Sequence, residues 1–425
     1  MSALFLSLIA VRLPLMPFQG YFHDIGSYIG WGSTLVSQGF AHLYDAQTVN
    51  LSPSVPDPAI NYPPGMPYLF GALVFLYDHT LALATRAPLP ALLDQNGLGP
   101  FVAKLPLLLA DIATTAILYR EARHRHSQRF ALVAAASYAF SPALLYNGVI
   151  WGQTDGLATL PLLVALFAIF AERYTVAGVG MATAVLLKPQ PVIFIPLVLL
   201  YLWRWTRRED VARFAVALVA TTLLFLAPMI VPRFQLLRML HNMSAQSYSP
   251  ILNTSLDAFN FWWFIGYGYH PLGGAFLGLP TVRVGEALFA ILTLIIGIQI
   301  WRHPEPAYLF FGLALEMFSF FMVMGAQRQH YLFLFIPLAL ASLICSERGQ
   351  SGRLVMIYVS VTALCLLNMV TGVGVRLAGV SQMIPYLTYQ PLTAFVVGNF
   401  WALSWGLAAY HVATFAYAKW VFLSG

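Results

Sequence analysis

Long apolar runs recur from one end of this chain to the other, with little charge between them. Runs of that length are the signature of transmembrane helices. Hydrophobic residues make up 59% of the chain and charged residues 9%, against about 25% charged in a soluble domain. A chain so poor in charge cannot cover a water-facing surface. Ten Trp and 21 Tyr fit two interfacial aromatic belts.

The net charge of +6 speaks for membrane topology and not for nucleic acid. The arginines gather in short segments between apolar runs, as the positive-inside rule requires. Arg120, Arg123, Arg125 and Arg129 are the strongest cytoplasmic marker, and Arg204, Arg207, Arg208 and Arg213 the second. With these inside, the sequence predicts one all-α transmembrane domain over 1–425, a bundle of about twelve helices. The helices fall near 4–16, 101–119, 130–146, 156–171, 175–187, 192–203, 214–230, 282–301, 307–324, 331–345, 354–372 and 394–422. Long extracytoplasmic segments cover 17–100 and 231–280, and both termini lie in the cytoplasm. The first apolar stretch lacks a basic start and a small-residue cleavage site, so it reads as a membrane helix and not as a signal peptide. Cys345 and Cys365 sit in helices and are expected as free thiols.

Within the first outer segment, residues 24–40 predict an amphipathic helix in the interface plane, with Ile25, Tyr28, Ile29, Gly32, Leu35 and Val36 on one stripe. Residues 67–77 are apolar but too short to span, and predict a surface or re-entrant segment.

Most polar residues worth weighing fall at outer helix ends. Asp24, after His23, suits a carboxylate that removes a proton from a hydroxyl, or a plain helix N-cap. Tyr62 precedes Pro63-Pro64, which stiffens the segment. Asn147, Trp151, Gln153 and Asp155 lie in one turn and suit sugar recognition by stacking and hydrogen bonding; a cap at Thr154 or Asp155 is the alternative. Lys188-Pro-Gln190-Pro places a cation where the backbone breaks, suited to a phosphate or to snorkelling. Arg328 can clamp a phosphate bidentately with His330 assisting, or meet lipid headgroups. The polar and aromatic stretch 252–263 suits a sugar pocket or an aromatic belt. Asp111, Glu286 and Glu316, inside helices, suit a proton pathway or local pairing.

The order of these pieces resembles the GT-C superfamily of multispanning glycosyltransferases, in particular the bacterial mannosyltransferases related to the second mannosyltransferase of GPI-anchor assembly. The matching elements are Asp24 after the first helix, Tyr62-Pro63-Pro64, Leu105 to Asp111, Asn147 with Trp151-Gly-Gln-Thr-Asp155, and Leu187-Lys188-Pro-Gln190. The late element departs from the family's Met-His-Glu-Arg-Tyr-Leu and reads Gln327-Arg328-Gln329-His330-Tyr331-Leu332. The position before Tyr62 is Asn61 where relatives carry Asp. His23 stands where many relatives carry a second acid, so a divalent metal has no support and no cofactor is expected.

The resemblance implies inverting transfer of a hexose, mannose above all, from a polyprenyl-phosphate donor to a glycan, lipid or protein acceptor at the extracytoplasmic face of a bacterial cytoplasmic membrane. It assigns Asp24 as general base, Lys188, Arg328 and His330 to the donor phosphate, and His23, Tyr62, Asn147, Trp151, Gln153, Asp155 and Gln190 to sugar or acceptor. The rival class is a transporter or lipid-linked sugar flippase, which would place its polar contacts at the bilayer midplane. A scaffold without chemistry is the third.

Overall fold

The computed structural model describes residues 2–45, 60–85, 87–93, 97–230, 234–247, 253–346, 351–376 and 390–424. They are almost wholly helical, and β structure among them amounts to two pairs of two-residue strands. Among the described residues six helices are long and apolar enough to cross a bilayer: Leu98–Arg125, Gln128–Trp151, Arg208–Ile230, Thr281–Arg302, Pro306–Val323 and Gly352–Gly372. Five shorter apolar helices accompany them: Ser2–Arg12, Asp155–Phe170, Tyr174–Leu187, Gln190–Trp205 and Phe335–Cys345. The chain is an all-α bundle of a multi-pass membrane protein.

The helices divide into rim and spine. Arg208–Ile230 and Thr281–Arg302 bury only 17% and 22% of their apolar windows, and Leu224 and Leu294 project outward. Continuous apolar surface of that kind marks contact with lipid. Pro306–Val323 buries 78%. Its Phe310, Leu313 and Phe318 pack with Phe335, Leu338 and Tyr138 in the central core. The cysteines are free thiols: Cys365 is buried and Cys345 half-buried.

Several boundaries differ from those the sequence predicts. The first helix ends at Arg12 instead of 16, because Pro14 biases Leu13 away from helical geometry. The second is jointed: Leu98–Ala103 and Leu105–Arg125 meet at Lys104, just before Pro106. It also runs on through Arg120, so Arg123, His124 and Arg125 occupy its last turn, where cations complement the negative end of the helix dipole. Residues 394–422 form two helices, Gln390–Gly398 and Phe400–Ser424, because Gly398 and Asn399 are poor helix formers.

The first outer segment is more structured than the sequence suggests. Its amphipathic helix is Phe22–Gln38, and the short apolar stretch is a 16-residue helix, Gly65–Thr80. The two pack together. Gly32 makes this approach possible: a Cβ there would sit 2.5 Å from the Phe70 carbonyl carbon. Met66, Phe70, Val74 and Tyr77 recur at helical spacing and form the buried side of Gly65–Thr80.

Two links tie the segments between the long helices together. Asp45 pairs with Arg238 and accepts from Gln235 Nε2 at 2.7 Å, and the Tyr44 amide donates to Gln235 Oε1 at 2.6 Å. These bonds tie the helix Gln235–Ser247 to the end of the first outer helix. The second link is a parallel strand pair, Ser255–Leu256 with Gln327–Arg328.

Candidate active site

Asp24 lies in the first turn of Phe22–Gln38, and Tyr21 is the N-cap. Its carboxylate does not cap the helix. Oδ2 accepts from Trp151 Nε1 at 2.8 Å and from Gln153 Nε2 at 2.5 Å. Gln153 is fixed in turn, since Tyr28 Oη donates to its Oε1 at 3.0 Å. Among the described residues no hydrogen bond reaches Asp24 Oδ1, and the residue is half-buried. One oxygen is therefore held and the other is open to a proton donor.

The turn that grips Asp24 has an unusual backbone. Leu145–Trp151 forms a π-helical turn after the break at Pro142, a wide turn found mostly at functional sites. It ends at Gly152, which adopts φ +91°. A Cβ there would lie 2.4 Å from Ile25 Cδ1, so glycine answers both the backbone and the space. Gly20, at φ +68°, meets the same turn: a Cβ on it would stand 2.5 Å from the carbonyl oxygens of Ile150 and Trp151. The two segments therefore run backbone to backbone.

Asp155 opens the helix Asp155–Phe170, and neither it nor Thr154 makes a side-chain cap. Its Oδ1 accepts from Lys188 Nζ at 2.6 Å and its Oδ2 from Asn147 Nδ2 at 3.0 Å. Lys188 is fully buried. The helix Tyr174–Leu187 stops just before it, because Pro189 biases Lys188 to the extended conformation. Lys188 thus does not snorkel; it neutralises a buried acid. Asn147 Oδ1 is buried without a partner.

The late element completes the site. His330 is buried and stacks edge-on against Trp151, with ring centroids 5.4 Å apart. Burial pulls the His330 imidazole well below its ordinary value, and the charges of Lys188 and Arg328 add to this. Among the described residues its Nδ1 is buried and unpartnered. Arg328 is half-buried, and among the described residues no hydrogen bond or ion pair holds its guanidinium. Burial opposes its charge, but Tyr331, Asp24, Tyr62 and Tyr21 outweigh burial and favour the cation. Asn368 fixes this loop from the helix Ser351–Arg376. Its Nδ2 donates to the Asp257 and Gln329 carbonyls at 3.0 and 3.1 Å, and its Oδ1 accepts from the Phe259 amide at 2.9 Å.

Tyr62 stands over the same group, with its ring 5.2 Å from that of Trp31 and 6.2 Å from that of Tyr28. Burial raises its phenol; Asp155 and Asp24 add to the rise and Arg328 opposes it. The remaining candidates are less engaged. The His23 ring packs edge-on against Tyr21. Gln190 begins the tight turn Gln190–Phe194, buried, with Oε1 unpartnered. Most of the stretch 252–263 is packing: Trp262 and Trp263 are buried, and Trp262 Nε1 and Asn260 Nδ2 bond the Val323 and Phe321 carbonyls.

The acids inside helices form no chain. Asp111 pairs with buried Arg12 at 3.0 Å and accepts from Tyr138 Oη. Glu286 pairs with Arg283, and Glu316 accepts from Thr293 Oγ1. Among the described residues no three His, Cys, Asp or Glu side chains gather as a metal site.

Tyr28, Asn368 and Lys104 escaped the sequence reading. Tyr28 had a signal, since it lies one turn after Asp24 on the same face. Asn368 reads as one more polar residue in an apolar run.

Residues 93–231 match the family model for dolichyl-phosphate-mannose-protein mannosyltransferase. The matched region carries Asn147, Trp151, Gln153, Asp155 and Lys188, and the match supports a glycosyltransferase of GT-C type. No curated protein matches the chain.

Proposed function

We propose that this GT-C glycosyltransferase moves a mannosyl group from a polyprenyl-phosphate donor to an acceptor hydroxyl, with inversion, at the extracytoplasmic face of the membrane. Residues 1–425 act as one catalytic domain, with both termini in the cytoplasm. The reading rests on one observation above all: a carboxylate with one oxygen held and one open, Asp24, shares a site with a half-buried arginine, Arg328, that no ion pair holds among the described residues.

In this account Asp24 Oδ1 takes the proton of the acceptor hydroxyl. The acceptor oxygen attacks the anomeric carbon of the sugar. The bond from that carbon to the phosphate oxygen breaks, and its electron pair leaves with polyprenyl phosphate. Arg328 meets the charge that grows on the departing phosphate, a role its planar guanidinium suits. Lys188 acts one layer behind, because its ammonium is already engaged by Asp155. Burial above all, with the charges of Lys188 and Arg328, favours the neutral form of His330, whose single N–H can serve the phosphate or sugar. Asn147 Oδ1 and Gln190 Oε1, buried acceptors without partners, suit sugar hydroxyls, which bring the missing donors. A single displacement by one base inverts the anomeric centre.

The test is to incubate the purified full chain with radiolabelled polyprenyl-phosphate mannose, glucose and galactose, with glycan, lipid and peptide acceptors. The reading predicts label in an acceptor product from the mannosyl donor. Donor that crosses the bilayer of a proteoliposome while its sugar stays attached would speak for a flippase instead.

A further inference from the structure

Lys104 is a buried lysine that the chemistry above does not use. It stands at the joint between Leu98–Ala103 and Leu105–Arg125, 1% exposed. Its Nζ donates to the Phe18 carbonyl at 2.7 Å and to the Ile150 carbonyl at 3.3 Å. Among the described residues no carboxylate pairs with it. Asp111, two turns along the same helix, is already neutralised by Arg12. A buried lysine with only carbonyl partners is costly whichever form it takes, which calls for a reason in function.

The geometry points to Lys104 as the positioning residue that sets Asp24 against the turn that grips it. The two carbonyls belong to the two halves of the site. Phe18 leads through Gly20 and Tyr21 into the helix that carries Asp24. Ile150 lies in the π turn, one residue before Trp151 and three before Gln153. These segments approach so closely that Tyr21 N bonds the Trp151 carbonyl at 3.0 Å and no side chain fits at Gly20. Carbonyl oxygens brought together repel, and an Nζ that donates to both turns the repulsion into a clamp. A Cβ on Gly152 would lie 3.5 Å from Lys104 Cε, so the lysine stem passes directly beneath the turn. Lys104 touches neither reacting oxygen; it holds the two strands of chain whose spacing fixes where Asp24 Oδ1 points.

The kinetic part of the test rests on the transferase reading; the structural part does not. Lys104→Met and Lys104→Arg are compared with the wild-type full chain in one detergent. By hydrogen exchange, the Met variant is expected to lose protection in peptides covering residues 18–24 and 148–153 together, while 306–323 keeps its protection. The Arg variant, which retains charge and donors, keeps both peptides protected. In the transfer assay the Met variant is expected to lose about 100-fold in kcat, the scale of a misplaced catalytic group. Its KM for the donor should stay within about twofold, because ground-state binding is untouched, and Arg should restore most of the rate. Unchanged exchange in both peptides overturns the proposal. So does a raised KM at constant kcat, which would make Lys104 a binding residue. If the Met variant does not fold, the Arg variant decides alone, since exposed peptides or a lost rate there would contradict a clamp that depends on charge and donors. Wild-type protein inactive with every donor would refute the transferase reading, and the exchange result would still decide for or against the clamp.

Discussion

Replacing Lys188 by Met is the perturbation whose cost the structure defines best. Lys188 Nζ and Asp155 Oδ1 lie 2.6 Å apart, with side chains 0% and 3% exposed. At an effective dielectric near 20, charges at that separation attract by about 6 kcal/mol. Taking both ions out of water costs several kcal/mol each, so the intact pair adds little net stability. Removing one partner is different, because the cost of the other's burial remains without its compensation. Lys188→Met leaves Asp155 with Asn147 Nδ2, one neutral donor in place of a cation. The expected loss is about 3–5 kcal/mol, a fall of about 3–6 °C in Tm for a chain of this length. The double variant Lys188→Met, Asp155→Asn removes the orphaned charge and should recover more than half of that fall. The assay is thermal unfolding of the full chain in one detergent, read by loss of the monodisperse peak. Two results refute the reasoning: a single variant as stable as the wild type, or a double variant that loses the sum of the single losses.

Further outcomes follow from the same geometry. Arg328→Lys keeps the charge but loses the bidentate fork, and is expected to lower kcat about tenfold, a cost of about 1.4 kcal/mol in transition-state stabilisation, read by steady-state kinetics. Gly152→Ala forces a side chain into φ +91° and against Ile25; it should cost about 1–3 kcal/mol, seen in thermal unfolding, and lower the rate. His330 has a folded pKa below its unfolded value near 6.5, so the unfolded state binds the proton more readily. Its contribution is full above pH 6.5 and is lost as pH falls below that toward the folded pKa. His330→Gln should flatten the acid side of the stability profile measured by thermal unfolding from pH 7 to 5.

The sequence carries the site's inventory better than its architecture. Asp24, Trp151, Gln153, Asp155 and Lys188 stand out because a polar residue at the end of an apolar run needs a reason. Asp24 and Asp155 open their helices, and Trp151 and Lys188 close theirs, so an alternating path brings them together. What periodicity cannot show is which acid meets which donor. Trp151 and Gln153 reach Asp24 across more than a hundred residues, and Lys188 reaches Asp155 across 33. The π turn at Leu145–Trp151 has no local signature beyond Pro142 and Gly152. The pairing of Ser255–Leu256 with Gln327–Arg328 is too short to produce an alternating pattern. Helix ends also move where single residues decide them, as Pro14 and Pro106 do. The length of Gly65–Thr80 was hidden by its polar close, Tyr77-Asp-His-Thr80.

The central claim is that Asp24 accepts the acceptor's proton, and its most direct measurement is the single-turnover rate of Asp24→Asn against wild type with polyprenyl-phosphate mannose. An asparagine oxygen still accepts from Trp151 and Gln153 but takes up no proton. The account predicts a folded protein with normal donor affinity and a rate lower by about 10²–10⁴. A variant that folds, binds donor and transfers the sugar at the wild-type rate would contradict it.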